Sequence, residues 1–110
     1  MTFSGIQNGK PDEPRSERVI KFRFAGTVVN VTQTQRDQIK VGHEVETVYD
    51  AIAKIDSQYD NKILPEIENG FQFILKSDGG SSRLISIEKI KEAKLGNHNE
   101  ITFFYPFKGG

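Results

Sequence analysis

The sequence holds 110 residues, with fifteen lysines and arginines against fifteen aspartates and glutamates, a formal net charge of zero, and no cysteine. That length suits one domain able to bury most of its apolar surface without crosslinks; the missing cysteines exclude a disulfide framework, a thiolate metal site and a cysteine nucleophile, and the balanced charge leaves no net field to gather nucleic acid or an anionic membrane. No apolar stretch approaches a membrane span and the start, MTFSGIQNGK, lacks the basic and apolar segments of a signal peptide, so the expectation is a cytoplasmic protein.

Residues 1–17, MTFSGIQNGKPDEPRSE, carry Pro11, Pro14, Gly5 and Gly9 but only Met1, Phe3 and Ile6 as large apolar residues. Too little apolar surface is present to offset the entropy of ordering them, and they are read as a flexible N-terminal arm. The domain then spans residues 18–108. In VIKFRFAG, Val19, Lys21 and Arg23 alternate with Ile20, Phe22 and Phe24, the period of a strand. The β-branched run VVNVTQTQRDQIKV predicts a second strand ending near Val41, with Gly42 as punctuation.

The period changes in ETVYDAIAKIDSQY, where Val48, Ile52, Ile55 and Tyr59 recur at spacings of four, three and four and share one face of a helix. Thr47 and Asp50 have the spacing of an N-terminal capping pair, and Pro65 is expected to stop any continuation. FQFILK and RLISI flank the turn SDGGSS, so Phe71 to Ile87 reads as a hairpin. EKIKEAKLGNHNE reads as a helical turn followed by a loop, and Ile101 to Phe107 as a closing strand that is apolar on both faces. Ile101, Phe103, Tyr105 and Phe107 point one way, and Thr102, Phe104 and Pro106 the other. Such a strand belongs in the centre of a sheet. With one main helix available, the fold class is α+β with one sheet face covered, which leaves Phe104 as a candidate for an exposed apolar contact surface.

Conventional catalytic patterns are sparse. His43 in GHEVE and His98 in GNHNE fall in turns without a repeated ligand spacing, so no metal site is expected. GIQNGKP has three residues between its glycines where a phosphate loop needs four, and proline where that loop carries a hydroxyl. SDGGSS could cradle an anion but is explained by a hairpin turn. What remains is the pair Gly109 and Gly110 after an apolar strand. Glycine permits close backbone approach to another surface, and a partner could thread such a tail into a narrow channel to reach a carboxylate at Gly110. Joined to a nucleotide phosphate, that carboxylate gains a leaving group and accepts sulfide, a thiol or an amine.

The segment GNHNEITFFYPFKGG resembles the end of the small ubiquitin-like sulfur carriers of molybdopterin and thiamin biosynthesis. Gly96 to Glu100 resembles their turn, Phe103 and Phe104 their paired aromatics, Pro106 the second of two prolines, and Gly109 with Gly110 their functional tail. VIKFRFAG is similar to their first strand, and HEVETVYDAI to the segment leading into their helix. Tyr105 stands where the first proline of the molybdopterin type would be, and Phe107 and Lys108 are bulkier than the residues usual before the glycines. The hairpin KSDGGSSRLISIEKI and the arm are additions to the pattern.

The resemblance implies a β-grasp fold: a four- or five-stranded sheet across one helix, with first and last strands parallel and adjacent. It implies no enzyme activity and no bound cofactor. A partner adenylating enzyme of the ubiquitin-activating type would use ATP and magnesium to adenylate Gly110, a sulfur donor would convert it to a thiocarboxylate, and a sulfur acceptor such as the large subunit of a molybdopterin synthase would receive the sulfur. Phe104, Pro106, Phe107 and Lys108 would contact those partners, with Gly109 and Gly110 as the reacting tail. A ubiquitin-like modifier joined to lysines, and a β-grasp interaction module, remain open as alternatives.

Overall fold

The computed structural model describes residues 17–68 and 70–105. Five strands, β1 (Arg18–Arg23), β2 (Arg36–Val41), β3 (Gln72–Lys76), β4 (Ser82–Ser86) and β5 (Glu100–Phe104), form one mixed sheet in the order β2-β1-β5-β3-β4. Three helices, α1 (Val28–Thr32), α2 (Val48–Ser57) and α3 (Ile63–Ile67), and a 3₁₀ turn at Ile87–Lys89 complete the α+β domain. The first and last strands are adjacent and parallel, with Phe22 beside Ile101, while every other pairing is antiparallel. β5 thus sits in the centre, between β1 and β3, as its two apolar faces predict.

Alternation along the strands sends Ile20, Phe22, Ile39, Val41, Phe73, Leu75, Ile85, Ile101 and Phe103 into one core against Val48, Ala51, Ile52 and Ile55 of α2. Phe103 is its aromatic hub. The rings of Phe24 and Phe73 meet it edge-on at centroid distances of 5.3 and 5.1 Å, an arrangement that adds electrostatic attraction to their burial.

The N-terminus of α2 carries the capping box that the sequence predicts. Thr47 Oγ1 accepts from the Asp50 N–H at 3.1 Å, and Asp50 Oδ2 accepts from the N–H groups of Thr47 at 3.1 Å and Glu46 at 3.0 Å. The backbone donation from Glu46 is the first reason the Asp50 carboxyl is held below its ordinary range.

Three expectations are corrected. The β-branched run Val28–Thr32 is a helix, because the chain reverses at Gly26, whose φ of +60° favours glycine, and Val28 and Thr32 then fall four apart on a buried face. Each valine costs only about 0.5 kcal/mol in a helix relative to alanine, which burial readily exceeds. Pro65, expected to stop any continuation of α2, is not what ends it: α2 stops at Ser57, and Pro65 is the third residue of the separate helix α3, where the backbone N–H it lacks has no intrahelical acceptor anyway. The buried Asp56 carboxylate, at the end of α2, accepts from the N–H groups of Ile63 and Leu64 at 2.7 and 3.0 Å and so caps α3 from a distance. Tyr105, expected to turn inward with Ile101 and Phe103, lies beyond the ladder and is 48% exposed, with one side of its ring against Phe71.

Tyr59 falls past the end of α2 yet still reaches the sheet. Its ring meets Phe24 edge-on at 6.2 Å, and its hydroxyl donates to Asp37 of β2. Burial, reinforced by the Asp37 carboxylate, pushes the Tyr59 hydroxyl up to about 12. Since ionisation is disfavoured in the folded state, this tie contributes stability that is fully present below the ordinary tyrosine value of about 10 and lost as pH rises through about 12.

Two measurements check these contacts. Ile52 is fully buried, and Ile52→Ala is expected to lower unfolding free energy by roughly 2 to 5 kcal/mol in a denaturant titration. An ultraviolet pH titration of the three tyrosines is expected to show one phenol ionising late, near pH 12, and that late phase to vanish in Tyr59→Phe.

Candidate functional site

The candidate site is the point where β5 leaves the sheet, together with the sheet face beside it. β5 cannot shift there without breaking ladders on both sides: Phe22 opposes Ile101 on one edge and Phe73 opposes Phe103 on the other. The parallel ladder is prolonged by the Lys21 N–H, which donates to Asn99 O at 2.9 Å. Loop geometry also braces the exit. A Cβ at Gly26 would lie 3.4 Å from the Phe71 ring and 3.6 Å from Tyr105 Cβ, so the reversal after β1 and the residue after β5 are packed side by side.

The described helices pack through residues such as Val28, Ile52 and Ile63 into the core on the inward side of the sheet, away from Phe104, which is 44% exposed, as the alternation predicts. The strand registers assemble a row across this open face, Arg36, Arg23, Thr102, Ile74 and Leu84, one residue from each strand. Phe104 lies one step along β5 from that row, and Leu84, 59% exposed, ends it. Around Thr102 the β3–β4–β5 half of the face is therefore apolar and hydroxylated, whereas Lys76 and Glu100 stand together at one end of it. Thr102 Oγ1, at its centre, is buried and has no hydrogen-bond partner among the described residues.

The β1–β2 half is cationic. Lys21, Arg23, Arg36 and Lys40 face outward by alternation, and Lys76 stands on β3. Glu100 is the acidic residue among them and pairs with Arg23 at 2.9 Å. Arg23 and Arg36 nevertheless oppose each other directly in register, an arrangement that costs stability between like charges. A shallow hollow of about 450 Å³ lies between them, lined by Lys21, Arg36, Gln38 and Glu100. A chain of zero net charge has thus gathered cations on one face beside an apolar strip, which suits contact with a surface that brings carboxylates and an apolar group together.

Of the residues that sequence reasoning assigned to the site, Phe104 lies on this face. Pro106, Phe107, Lys108, Gly109 and Gly110 lie outside the described residues, as do residues 1–16 and with them the GIQNGKP segment. His43 is exposed, and half-buried His98 brings Nδ1 within 3.0 Å of Leu95 O. Among the described residues no group of three or more histidine, aspartate or glutamate side chains could hold a metal ion, and no helix is long and apolar enough to cross a membrane. SDGGSS forms the β3–β4 turn, closed by a hydrogen bond from the Ser77 N–H to Ser81 O at 3.1 Å. The outward row of Arg36, Arg23, Thr102, Ile74 and Leu84 is not visible in the sequence, where its members are scattered over five segments. No protein-family model, no curated protein and no solved structure matches the chain.

Because Phe104 is partly exposed and its inward neighbour Phe103 carries the packing, Phe104→Ser is expected to leave the thermal midpoint within a few degrees of the parent. A collapse of the midpoint comparable to that of a buried phenylalanine would show Phe104 to be core rather than contact surface.

Proposed function

We propose that this domain is a β-grasp sulfur carrier, whose Gly110 carboxylate is adenylated by a partner enzyme and converted to a thiocarboxylate for sulfur delivery in cofactor biosynthesis of the molybdopterin or thiamin type. The observation that carries the reading is the central, parallel placement of β5. With the order β2-β1-β5-β3-β4 and α2 across one face, it supports a β-grasp. It also gives the segment PFKGG a fixed point of departure at Phe104 and Tyr105, beside the open face. A tail used as a substrate needs such an anchor, since the reacting group must reach a partner's nucleotide at a repeatable distance.

The chemistry follows from the carboxylate. Its oxygen attacks the α-phosphorus of magnesium-bound ATP on the partner and expels pyrophosphate, giving an acyl adenylate. Hydrosulfide then adds to the carbonyl carbon and AMP departs with the bridging oxygen, leaving one sulfur where one oxygen stood. The chain's lack of cysteine suits this step, because no internal thiol competes for the activated carbonyl. Glycine at the last two positions leaves the backbone free to enter a narrow channel. The exposed Phe104 and the cationic half of the sheet would serve as the surface that seats the domain while the tail reacts.

Intact-protein mass spectrometry tests the proposal. Incubation with an activating enzyme of the ubiquitin-activating type, ATP, magnesium and sulfide is expected to exchange one oxygen for one sulfur at Gly110. One added residue after Gly110 is expected to stop the reaction, since it displaces the carboxylate by roughly 3.3 to 3.6 Å. An amide to a lysine of a second protein would point to a modifier instead. Sulfur uptake by the extended chain would overturn the proposed role of Gly110.

A further inference from the structure

The two edges of the sheet differ in kind. β2 protects its edge with Arg36, Asp37 and Lys40, charges of the sort that discourage pairing with another strand. β4, Ser-Arg-Leu-Ile-Ser, has one charge in five residues and an exposed leucine at its midpoint. Its hydrogen-bonding direction follows from the turn. The Ser77 N–H donates to Ser81 O, so Ser77, Leu75 and Phe73 present their backbone groups to β4, and Ser81, Arg83 and Ile85 answer them. The backbone N–H and C=O of Ser82 and Leu84 therefore point away from the sheet.

We propose that β4 is a self-association edge, pairing antiparallel with β4 of a second copy about a two-fold axis at Leu84. The strand is self-complementary in that register. Leu84 meets Leu84 of the second copy as a hydrogen-bonded pair, and Ser82 meets Ser86 on either side. The row Thr102, Ile74, Leu84 continues without interruption into its counterpart, so the exposed leucine gains an apolar neighbour. On the helix side, Arg83 falls opposite Ile85 of the second copy. Ile85 lines a hollow of about 470 Å³ with Lys89, Glu92 and Ala93, and the same copy's Arg83 and Leu84 stand at its border. Arg83 would enter that hollow and find Glu92, with Lys89 at the same rim. Neither Arg83 nor Glu92 has an ion-pair partner among the described residues. The contact repeats twice by symmetry. A pairing five residues long falls short of the roughly 1,000 Å² of a stable interface, so the dimer forms only at high concentration. This inference does not depend on the sulfur-carrier reading.

Sedimentation velocity on the full chain, from micromolar to millimolar concentration, is the test, with amide exchange read on the same samples. The apparent mass is expected to rise toward twice the monomer value, and the Ser82 and Leu84 amides to become protected only where the dimer forms. Leu84→Lys, at a position 59% exposed in the monomer, is expected to keep its thermal midpoint and stay monomeric. Arg83→Glu is expected to weaken association, and Arg83→Glu with Glu92→Arg to restore it. A monomer at every concentration, a dimer whose Ser82 and Leu84 amides exchange freely, or unchanged association in Leu84→Lys would each overturn the proposal.

Discussion

The parallel pairing of β1 with β5 is the constraint from which the rest of the domain follows. It inserts the last strand between β1 and β3, joining two antiparallel hairpin-like halves into one sheet. The insertion brings Phe103 between Phe24 and Phe73 and so creates the aromatic hub. It also sets Thr102 between Arg23 and Ile74, which makes one outward surface from a cationic half and an apolar half. Without that pairing, Phe22 and Phe73 would belong to separate layers and the sheet would have four edges to protect instead of two.

Local periodicity made much of this legible. The two-residue alternation of VIKFRF, the four-three spacing of Val48, Ile52 and Ile55, the Thr47–Asp50 cap and the hairpin around SDGGSS all require only neighbouring residues to agree, and each element is present, although Phe24 and Tyr59 fall just past the ends of theirs. Val28–Thr32 misled because strand preference is weaker than burial: once Gly26 reverses the chain, the only apolar environment within reach favours a helical spacing. Asp56 gave no signal either, since the N–H groups that donate to it lie seven and eight residues ahead, beyond two left-handed residues, Asp60 and Asn61. The exposure of Phe104 could be read from alternation together with the shortage of helices. The row that accompanies it could not, because its composition depends on four strand registers at once.

Charge is distributed with a similar dependence on register. The balanced totals of the sequence conceal a sheet face on which Lys21, Arg23, Arg36, Lys40 and Lys76 stand with Glu100, while the helix side mixes acidic Asp50 and Glu88 with basic Lys54 and Lys89. Net charge is a sum, whereas a partner approaching one face feels only the nearer part of it before salt screens the remainder over about 10 Å. The hollow between Arg23 and Arg36 is accordingly open and polar, in contrast to the close-packed interior beneath it.

The central position of β5 also governs how the domain is made. A ribosome delivers residues in order, so every other strand emerges before the one that joins them. Until Glu100–Phe104 follow, β1 and β3 lack their shared neighbour, and the backbone groups and apolar side chains such as Phe22 and Phe73 along those inner edges have no partner strand. Completion requires contacts between segments about eighty residues apart, an entropic cost paid before the central ladders can form. The apolar inner faces of those two edges are therefore covered only when β5 docks between them.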